Sequence, residues 1–168
     1  GGDVAASLAL GAVRGARGNS GMVLSQVLRG VAESTVDSVI DGAVFVRSLK
    51  QAVELVDRAI AEPVEGTVIT VLKAASESAE DAEAQSGATL HSIVSAAITA
   101  ARMALERTPS QLPALREAGV VDAGGAGLVI LLESLLAEIE GSTGHTGLPE
   151  TEPETELEVV FFFEGDLD

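Results

Sequence analysis

The sequence predicts an all-α protein, an up-and-down antiparallel bundle or barrel of helices, and three observations support this fold class. Hydrophobic residues make up 46% of the 168 residues but aromatic residues only 2%, a composition that suits close helix packing better than a β-sandwich. Apolar residues recur at helical spacing in successive segments. Residues that typically start or stop helices separate these segments.

The first three helices follow from this spacing. Residues 5–13 are rich in Ala and Leu and are typical of the end of a longer helix. A second helix is predicted over residues 21–33, where apolar residues recur three, four and seven positions after Leu24. Asp41 is a suitable N-cap for the third. That helix should stop near Glu62, because the residue before a proline is disfavoured in the α region.

Four further helices complete the prediction. A fourth begins after Thr67, and a fifth covers residues 89–109, where Pro109 is expected to end it. A short helix over residues 111–118 closes on a glycine. The last helix, residues 122–140, is apolar almost all round and is therefore expected to lie centrally.

The chain is predicted to divide into three parts. Residues 1–141 form the helical domain, and residues 142–156 are a Gly-, Pro-, Thr- and Glu-rich linker. Residues 157–168 begin with a β-strand pattern, and a single strand is not stable alone. We therefore interpret them as the start of a second domain. The first residue is not Met, and we interpret the helical domain as lacking its first segment.

Charge and composition exclude several classes of function. Eight of the 26 acidic residues lie in residues 150–168, which contain no base, so residues 1–149 carry 18 acids against 10 bases. Nucleic-acid binding needs a basic face, and an acidic surface disfavours anionic membranes. No apolar run is long enough for a transmembrane segment. The chain has no cysteine, which excludes disulfides and thiolate sites and fits a reducing cytoplasm.

Three glycine-rich loops run directly into predicted helices. They are residues 15–21 (GARGNSG), 63–67 (PVEGT) and 121–127 (VDAGGAG). Each leaves free backbone N–H groups at a helix N-terminus, where they and the helix dipole can hold a phosphate. Each loop alone is more typical of ordinary helix capping than of a phosphate site, and none has the spacing of a P-loop or a Rossmann fingerprint.

The order of the helices brings the three loops together. In an up-and-down bundle, alternate helices start at the same end. The second and fourth helices therefore start at one rim. The short helix over residues 111–118 cannot cross the bundle, so the last helix starts at that rim as well. Three helix N-termini are thus expected to form one anion site.

The loops resemble the DhaL domain of dihydroxyacetone kinases and, more closely, the ATP-binding subunit of bacterial fatty acid kinases. The matching stretches are GARGNSG at 15–21 with VLSQ at 23–26, PVEGT at 63–67, the Thr108-Pro109 pair, and AGVVDAGG at 118–125. Motifs in the right order across residues 4–141 are far more specific than any one alone. The resemblance implies a closed antiparallel helical barrel with nucleotide and magnesium at one rim.

The resemblance also implies a set of nucleotide-binding residues. One group would contact the phosphates, a second would lie beside them, and a third would border the adenine and ribose. The expected residues are Gly18, Asn19, Ser20 and Gly21 in the first loop, Gly66 and Thr67 in the second, and Asp122, Gly124 and Gly125 in the third. ATP or ADP and Mg²⁺ are the implied cofactors.

The implied activity is transfer of the γ-phosphoryl group of ATP. The acceptor is dihydroxyacetone in one branch, and in the other a fatty acid carboxylate presented by a separate acyl-carrying protein. The family's Asp-Gly-Asp-Thr-Gly motif, whose aspartates hold two magnesium ions, has no match in this chain. The resemblance places it before Gly1. No catalytic residue or metal ligand is therefore expected here, and the chain alone should be inactive.

Other interpretations stay open. The chain could be a non-catalytic helical nucleotide-binding or regulatory module, or a purely structural bundle that docks a partner. Arg17 could reach a phosphate or remain a solvated loop residue. The oligomeric state is also open, and a homodimer formed through further domains is compatible with the sequence.

Overall fold

A computed structural model describes residues 2–34, 40–60 and 62–141, with side chains from Val4 onward. The described part contains seven helices and no strand, which confirms the all-α prediction. The predicted linker and strand lie outside the described residues. The helices are α1 (Gly2–Gly15), α2 (Gly18–Ser34), α3 (Gly42–Ala59), α4 (Val68–Glu83), α5 (Leu90–Gln111), α6 (Pro113–Ala118) and α7 (Ala123–Ile139).

The helices pack as an up-and-down bundle. Each of α1 to α4 lies against the helix that follows it, and short connections between such neighbours make them antiparallel. Helix α7 packs against α5 and α4 and touches α2. Among the described helices α1 contacts α2 alone, and its Val4, Leu8 and Leu10 are more than half exposed. None of the described helices is long and apolar enough to span a bilayer.

The core is aliphatic, and α7 belongs to it on one face. Leu72 and Leu128 are completely buried, and Leu132 is nearly so. On the opposite face of α7, Ile130 and Leu131 are 49% and 39% exposed. The predicted central position of this helix therefore holds for one side of it. The other side is exposed and mixes Ile130 and Leu131 with the polar Ser134 and Glu138.

Local capping explains where the helices begin. The carboxylate of Asp41 accepts a hydrogen bond from the Val44 N–H at 2.8 Å, which confirms the predicted N-cap of α3. Helix α5 begins with a capping box, in which Thr89 and Ser92 bond to each other's backbone N–H. Such reciprocal bonds satisfy donors that the first turn of a helix otherwise leaves free.

The prediction that Pro109 ends the fifth helix is wrong. Helix α5 continues through Pro109 to Gln111. A proline inside a helix leaves the carbonyl four residues earlier without its usual partner. Here the Thr108 hydroxyl donates to that carbonyl, the Leu105 oxygen, at 2.7 Å. The side chain next to the proline therefore replaces the bond that the proline cannot make.

Helices α2 and α3 approach each other closely at Gly30. A Cβ atom at this position would lie 2.5 Å from the Ser48 carbonyl oxygen and 3.0 Å from the Ala52 nitrogen. Both are backbone atoms, so they cannot move aside without moving α3. The contact between the two helices thus requires a residue without a side chain.

We expect Gly30→Ala to destabilise the bundle, although alanine is the better helix former. Forcing α2 and α3 apart should lower the free energy of unfolding by about 1–3 kcal/mol. Gly11→Ala in α1 is the matched control, because a Cβ there meets nothing within 4 Å. It should raise the free energy of unfolding by about 0.5–1 kcal/mol. Urea unfolding followed by circular dichroism measures both, and stabilisation by both changes would contradict the close contact.

Candidate functional site

The N-termini of α2, α4 and α7 meet at one end of the bundle. A Cβ atom on Gly124, in the first turn of α7, would lie 2.6 Å from the Ser20 hydroxyl oxygen in α2. The same atom would lie 3.2 Å from Cβ of Val68, the first residue of α4. The convergence expected from helix order is therefore present in the structure.

A cleft of about 280 Å³ opens between these three helix ends. Four of the residues expected from the sequence line it: Asn19, Ser20, Thr67 and Asp122. The other lining residues are Val23, Ile60, Glu62, Val64, Val68 and Ile69. Pockets for drug-sized ligands are roughly 300–1,000 Å³. The volume of this cleft lies near the lower end of that range.

The first loop presents polar side chains to the cleft. Asn19 and Ser20 lie in the first turn of α2, both exposed, and neither side chain makes a hydrogen bond within the described residues. Gly18, just before them, has a φ of +64°, which favours glycine at this turn. Their donors are therefore available to a ligand at the cleft.

Arg17 lies in the turn before α2 and points back toward α1. Its guanidinium donates hydrogen bonds to the backbone oxygens of Ala16 at 2.8 Å and Arg14 at 3.3 Å. It is not among the residues that line the cleft. In this arrangement its charge serves the end of α1 and not a ligand in the cleft.

The second loop is held by its own hydrogen bonds. Thr67 caps α4, with its hydroxyl donating to the Val64 oxygen at 2.7 Å and accepting from the Ile69 N–H at 3.4 Å. Gly66 donates its N–H to the Thr70 hydroxyl at 3.0 Å. Gly66 has a φ of +79°, and a Cβ there would lie 3.0 Å from the Thr108 oxygen. Backbone angle and packing both require glycine at this position.

The third loop is fixed by Asp122. Its carboxylate accepts a hydrogen bond from the Gly125 N–H at 2.6 Å and so caps α7. Its own N–H donates to the Thr108 hydroxyl at 3.1 Å. Asp122 is therefore bound on both sides while it lines the cleft.

The glycines of the third loop are packing residues in this structure. Gly124 and Gly125 are buried and do not line the cleft. A Cβ on Gly125 would lie 2.8 Å from a methyl group of Val71, and one on Gly124 would meet Ser20. Their lack of side chains lets α7 approach α2 and α4. Gly21, whose Cβ would touch only Ala16 at 3.6 Å, has no such constraint.

The sequence interpretation missed Glu62 and the role of Thr108. Glu62 lines the cleft and lies just before the proline of the second loop. Thr108 is completely buried and bonds to the third loop. The Thr-Pro pair was a usable signal, because a threonine before an intrahelical proline can bond the carbonyl that the proline leaves free.

Charge in the cleft comes from acids and from helix ends. Glu62 and Asp122 are the charged side chains among its lining residues, and no base accompanies them. Three helix N-termini contribute partial positive charge. Across the described residues, no group of three or more His, Asp or Glu side chains could hold a metal ion. An anion in this cleft would benefit from a cation, because two carboxylates and no base line it.

The fold and the cleft define a class: an all-α bundle in which glycine-rich helix N-termini converge on one cleft. A family model of the DAK2 domain matches residues 2–137. The chain belongs to this family, which confirms the resemblance to DhaL-type domains. The DAK2 family belongs to the dihydroxyacetone kinase and fatty acid kinase class and is associated with nucleotide binding.

Bacterial proteins that are similar to this chain are longer than it. Protein YloV of Bacillus subtilis is 38% identical over 143 residues, which are 84% of this chain and 26% of that protein. An uncharacterized protein of Staphylococcus saprophyticus is 34% identical over 165 residues, 98% of this chain and 30% of its own length. One of Staphylococcus epidermidis is 36% identical over 155 residues, 92% and 28% respectively. The chain thus spans between a quarter and a third of these relatives.

We expect Asp122→Ala to destabilise α7 through loss of its N-cap. The Gly125 N–H would lose its partner, and loss of a cap costs about 0.5–2 kcal/mol. Asp122→Asn is the matched control, since an amide oxygen can accept the same bond while the charge is removed. Urea unfolding measures both variants. Equal stability of the Ala and Asn variants would contradict the capping role.

Proposed function

We propose that the cleft binds the phosphate groups of ATP or ADP, and that the domain is the nucleotide-binding part of an ATP-dependent phosphotransferase. The observation that carries this proposal is the convergence of three helix N-termini on one cleft. Backbone N–H groups and dipoles at a helix N-terminus favour phosphate. Three helix ends aimed at one place add these effects at a single site.

The proposed roles of the residues follow from their positions. Asn19 and Ser20 donate hydrogen bonds to phosphate oxygens, because their side chains face the cleft without other partners in the described structure. Gly18 and Gly21 leave the backbone of the first turn open to the ligand. Thr67 contributes the start of α4, which its hydroxyl caps.

The second and third loops shape the site in this proposal. Gly66 sets the turn before Thr67, and Asp122 holds the start of α7. Gly124 and Gly125 bring α7 close enough to complete the cleft. The adenine and ribose then lie beyond the cleft, along the side where the third loop begins.

In this proposal, Mg²⁺ at the cleft is held by ligands outside the described residues. Phosphoryl transfer relies on a cation to neutralise developing charge, and two acids without a base line the cleft. We propose that the metal is held by carboxylates outside the described residues, which the family resemblance places before Gly1. The chain alone would then bind nucleotide weakly and would not turn over.

The phosphoryl acceptor is part of the same proposal. Similarity to YloV and membership of the DAK2 family favour either a fatty acid carboxylate, presented by an acyl-carrying protein, or dihydroxyacetone. The chain covers only 26% of YloV. Contacts to the acceptor and to a carrier protein are therefore assigned to other parts of a longer protein.

A second candidate function is a nucleotide-binding regulatory module without catalysis. It uses the same cleft and the same convergence of helix N-termini, but it needs no metal ligands from outside the described residues. Both functions require nucleotide in the cleft, and they differ in whether bound ATP is consumed. A phosphotransfer assay on a form that includes the residues before Gly1 separates them.

We expect Asn19→Ala and Ser20→Ala each to weaken ADP binding about tenfold or more. A hydrogen bond to a charged group contributes about 1.5–3 kcal/mol. Isothermal titration with ADP and Mg²⁺ gives the dissociation constants. Bound nucleotide at a hundred times its dissociation constant should stabilise the native chain by about 2.7 kcal/mol, which thermal unfolding detects independently.

Ser134→Ala is the matched control for this experiment. The Ser134 hydroxyl is exposed in the middle of α7 and donates to the Ile130 oxygen at 2.8 Å, away from the cleft. Its loss should leave ADP affinity unchanged. If ADP affinity of the Asn19 and Ser20 variants matches that of the Ser134 variant, the phosphates do not bind at this cleft.

A further inference from the structure

Thr108 is a buried residue of α5 that lies outside the candidate site. Its side chain is 0% exposed, and it does not line the cleft. A buried hydroxyl is normally retained only when it is hydrogen-bonded. The Thr108 hydroxyl donates to the Leu105 oxygen at 2.7 Å and accepts from the Asp122 N–H at 3.1 Å. The hydroxyl thus acts both as a donor and as an acceptor.

The bond to Leu105 fixes the direction in which the hydroxyl donates. Pro109 has no N–H, so the Leu105 carbonyl lacks the usual helix partner four residues further on. The Thr108 hydrogen is committed to this carbonyl. Towards any further group, the hydroxyl can then act only as a hydrogen-bond acceptor.

The bond to Asp122 places the third loop. The N–H of an N-cap residue is not bonded within its own helix, and here it finds the Thr108 hydroxyl. This bond joins positions 14 residues apart in the chain and holds the start of α7 against the end of α5. Asp122 faces the cleft from that position.

The backbone of Thr108 also lies against the second loop. Its carbonyl oxygen accepts the Leu112 N–H at 3.0 Å and lies 3.0 Å from the place of a Cβ on Gly66. Gly66 comes directly before Thr67, which lines the cleft. One residue of α5 therefore contacts two of the three loops that surround the cleft.

We propose that Thr108 is a positioning residue, which holds the loops before α4 and α7 where they form the cleft and thereby sets nucleotide affinity without touching the nucleotide. The inference rests on the proposed function of the cleft. A hydroxyl outside the cleft then fixes the position of Asp122. This role explains why a threonine stands before the proline of α5.

Two substitutions at this position separate the hydroxyl from the shape of the side chain. Thr108→Val keeps the volume but leaves the Asp122 N–H and the Leu105 oxygen without their partner. Thr108→Ser keeps the hydroxyl and loses a methyl group. Ser48→Ala is the control for loss of a buried hydroxyl, because Ser48 is 2% exposed and bonds only the Val44 oxygen of its own helix, away from the cleft.

The dissociation constant of ADP with Mg²⁺, measured by isothermal titration on the whole chain, should rise about tenfold for Thr108→Val, because a buried donor without a partner destabilises the loop that carries it. It should stay within about twofold for Thr108→Ser and Ser48→Ala. A tenfold loss in the serine variant, or unchanged affinity in a folded valine variant, would overturn the proposal.

Hydrogen exchange of the Asp122 amide, followed by NMR without nucleotide, tests the same bond independently of ligand. We expect slow exchange in the wild type and at least tenfold faster exchange in Thr108→Val. An unprotected Asp122 amide in the wild type would overturn the positioning role even if the valine variant does not fold. If a longer form that includes the proposed metal ligands binds no ADP while this amide is protected, the proposed function fails and the effect of Thr108 on affinity fails with it, but its hold on the loop stands.

Discussion

The cleft depends on the close approach of three helix ends, and that approach depends on two positions without side chains. Gly124 and Gly125 lie where Cβ atoms would come within 3 Å of Ser20 and Val71. The same contacts bury the first turn of α7 against α2 and α4. Packing and site are therefore not separate parts of this domain. The glycines that shape the cleft also allow close packing of the core at the same end of the bundle.

Electrostatics in the cleft reflects a balance between fixed dipoles and side-chain charge. Helix N-termini attract an anion, whereas Glu62 and Asp122 repel one. The Gly125 N–H donates to the Asp122 carboxylate, and this bond partly offsets the repulsion between that carboxylate and an anion. An arrangement of this kind favours a ligand that arrives with a cation, as nucleotide phosphates do. The selectivity of the cleft would then depend on the phosphate together with its cation, and not on the phosphate alone.

Much of the fold could be predicted from local patterns, because capping and apolar spacing act within a few residues. Asp41, Thr89 and the run after Leu24 define their helices in this way. The meeting of three loops followed from helix order alone. The packing role of Gly124 could not be predicted, since it depends on Ser20, a residue brought close only by the tertiary fold. The passage of α5 through Pro109 depended on a side-chain bond that helix-ending rules do not include.

The position of α1 at the edge of the bundle has a consequence for how the domain opens. Because α1 contacts only α2 among the described helices, its detachment breaks fewer interactions than that of any inner helix. Its last residue, Gly15, leads within three residues to the first turn of α2. Local unfolding of α1 would release one side of the first loop while the other two loops stay in place. The order of the first glycine-rich loop is then coupled to the docking of a single peripheral helix, so a substitution at the interface of α1 with α2 would reach the cleft without touching it.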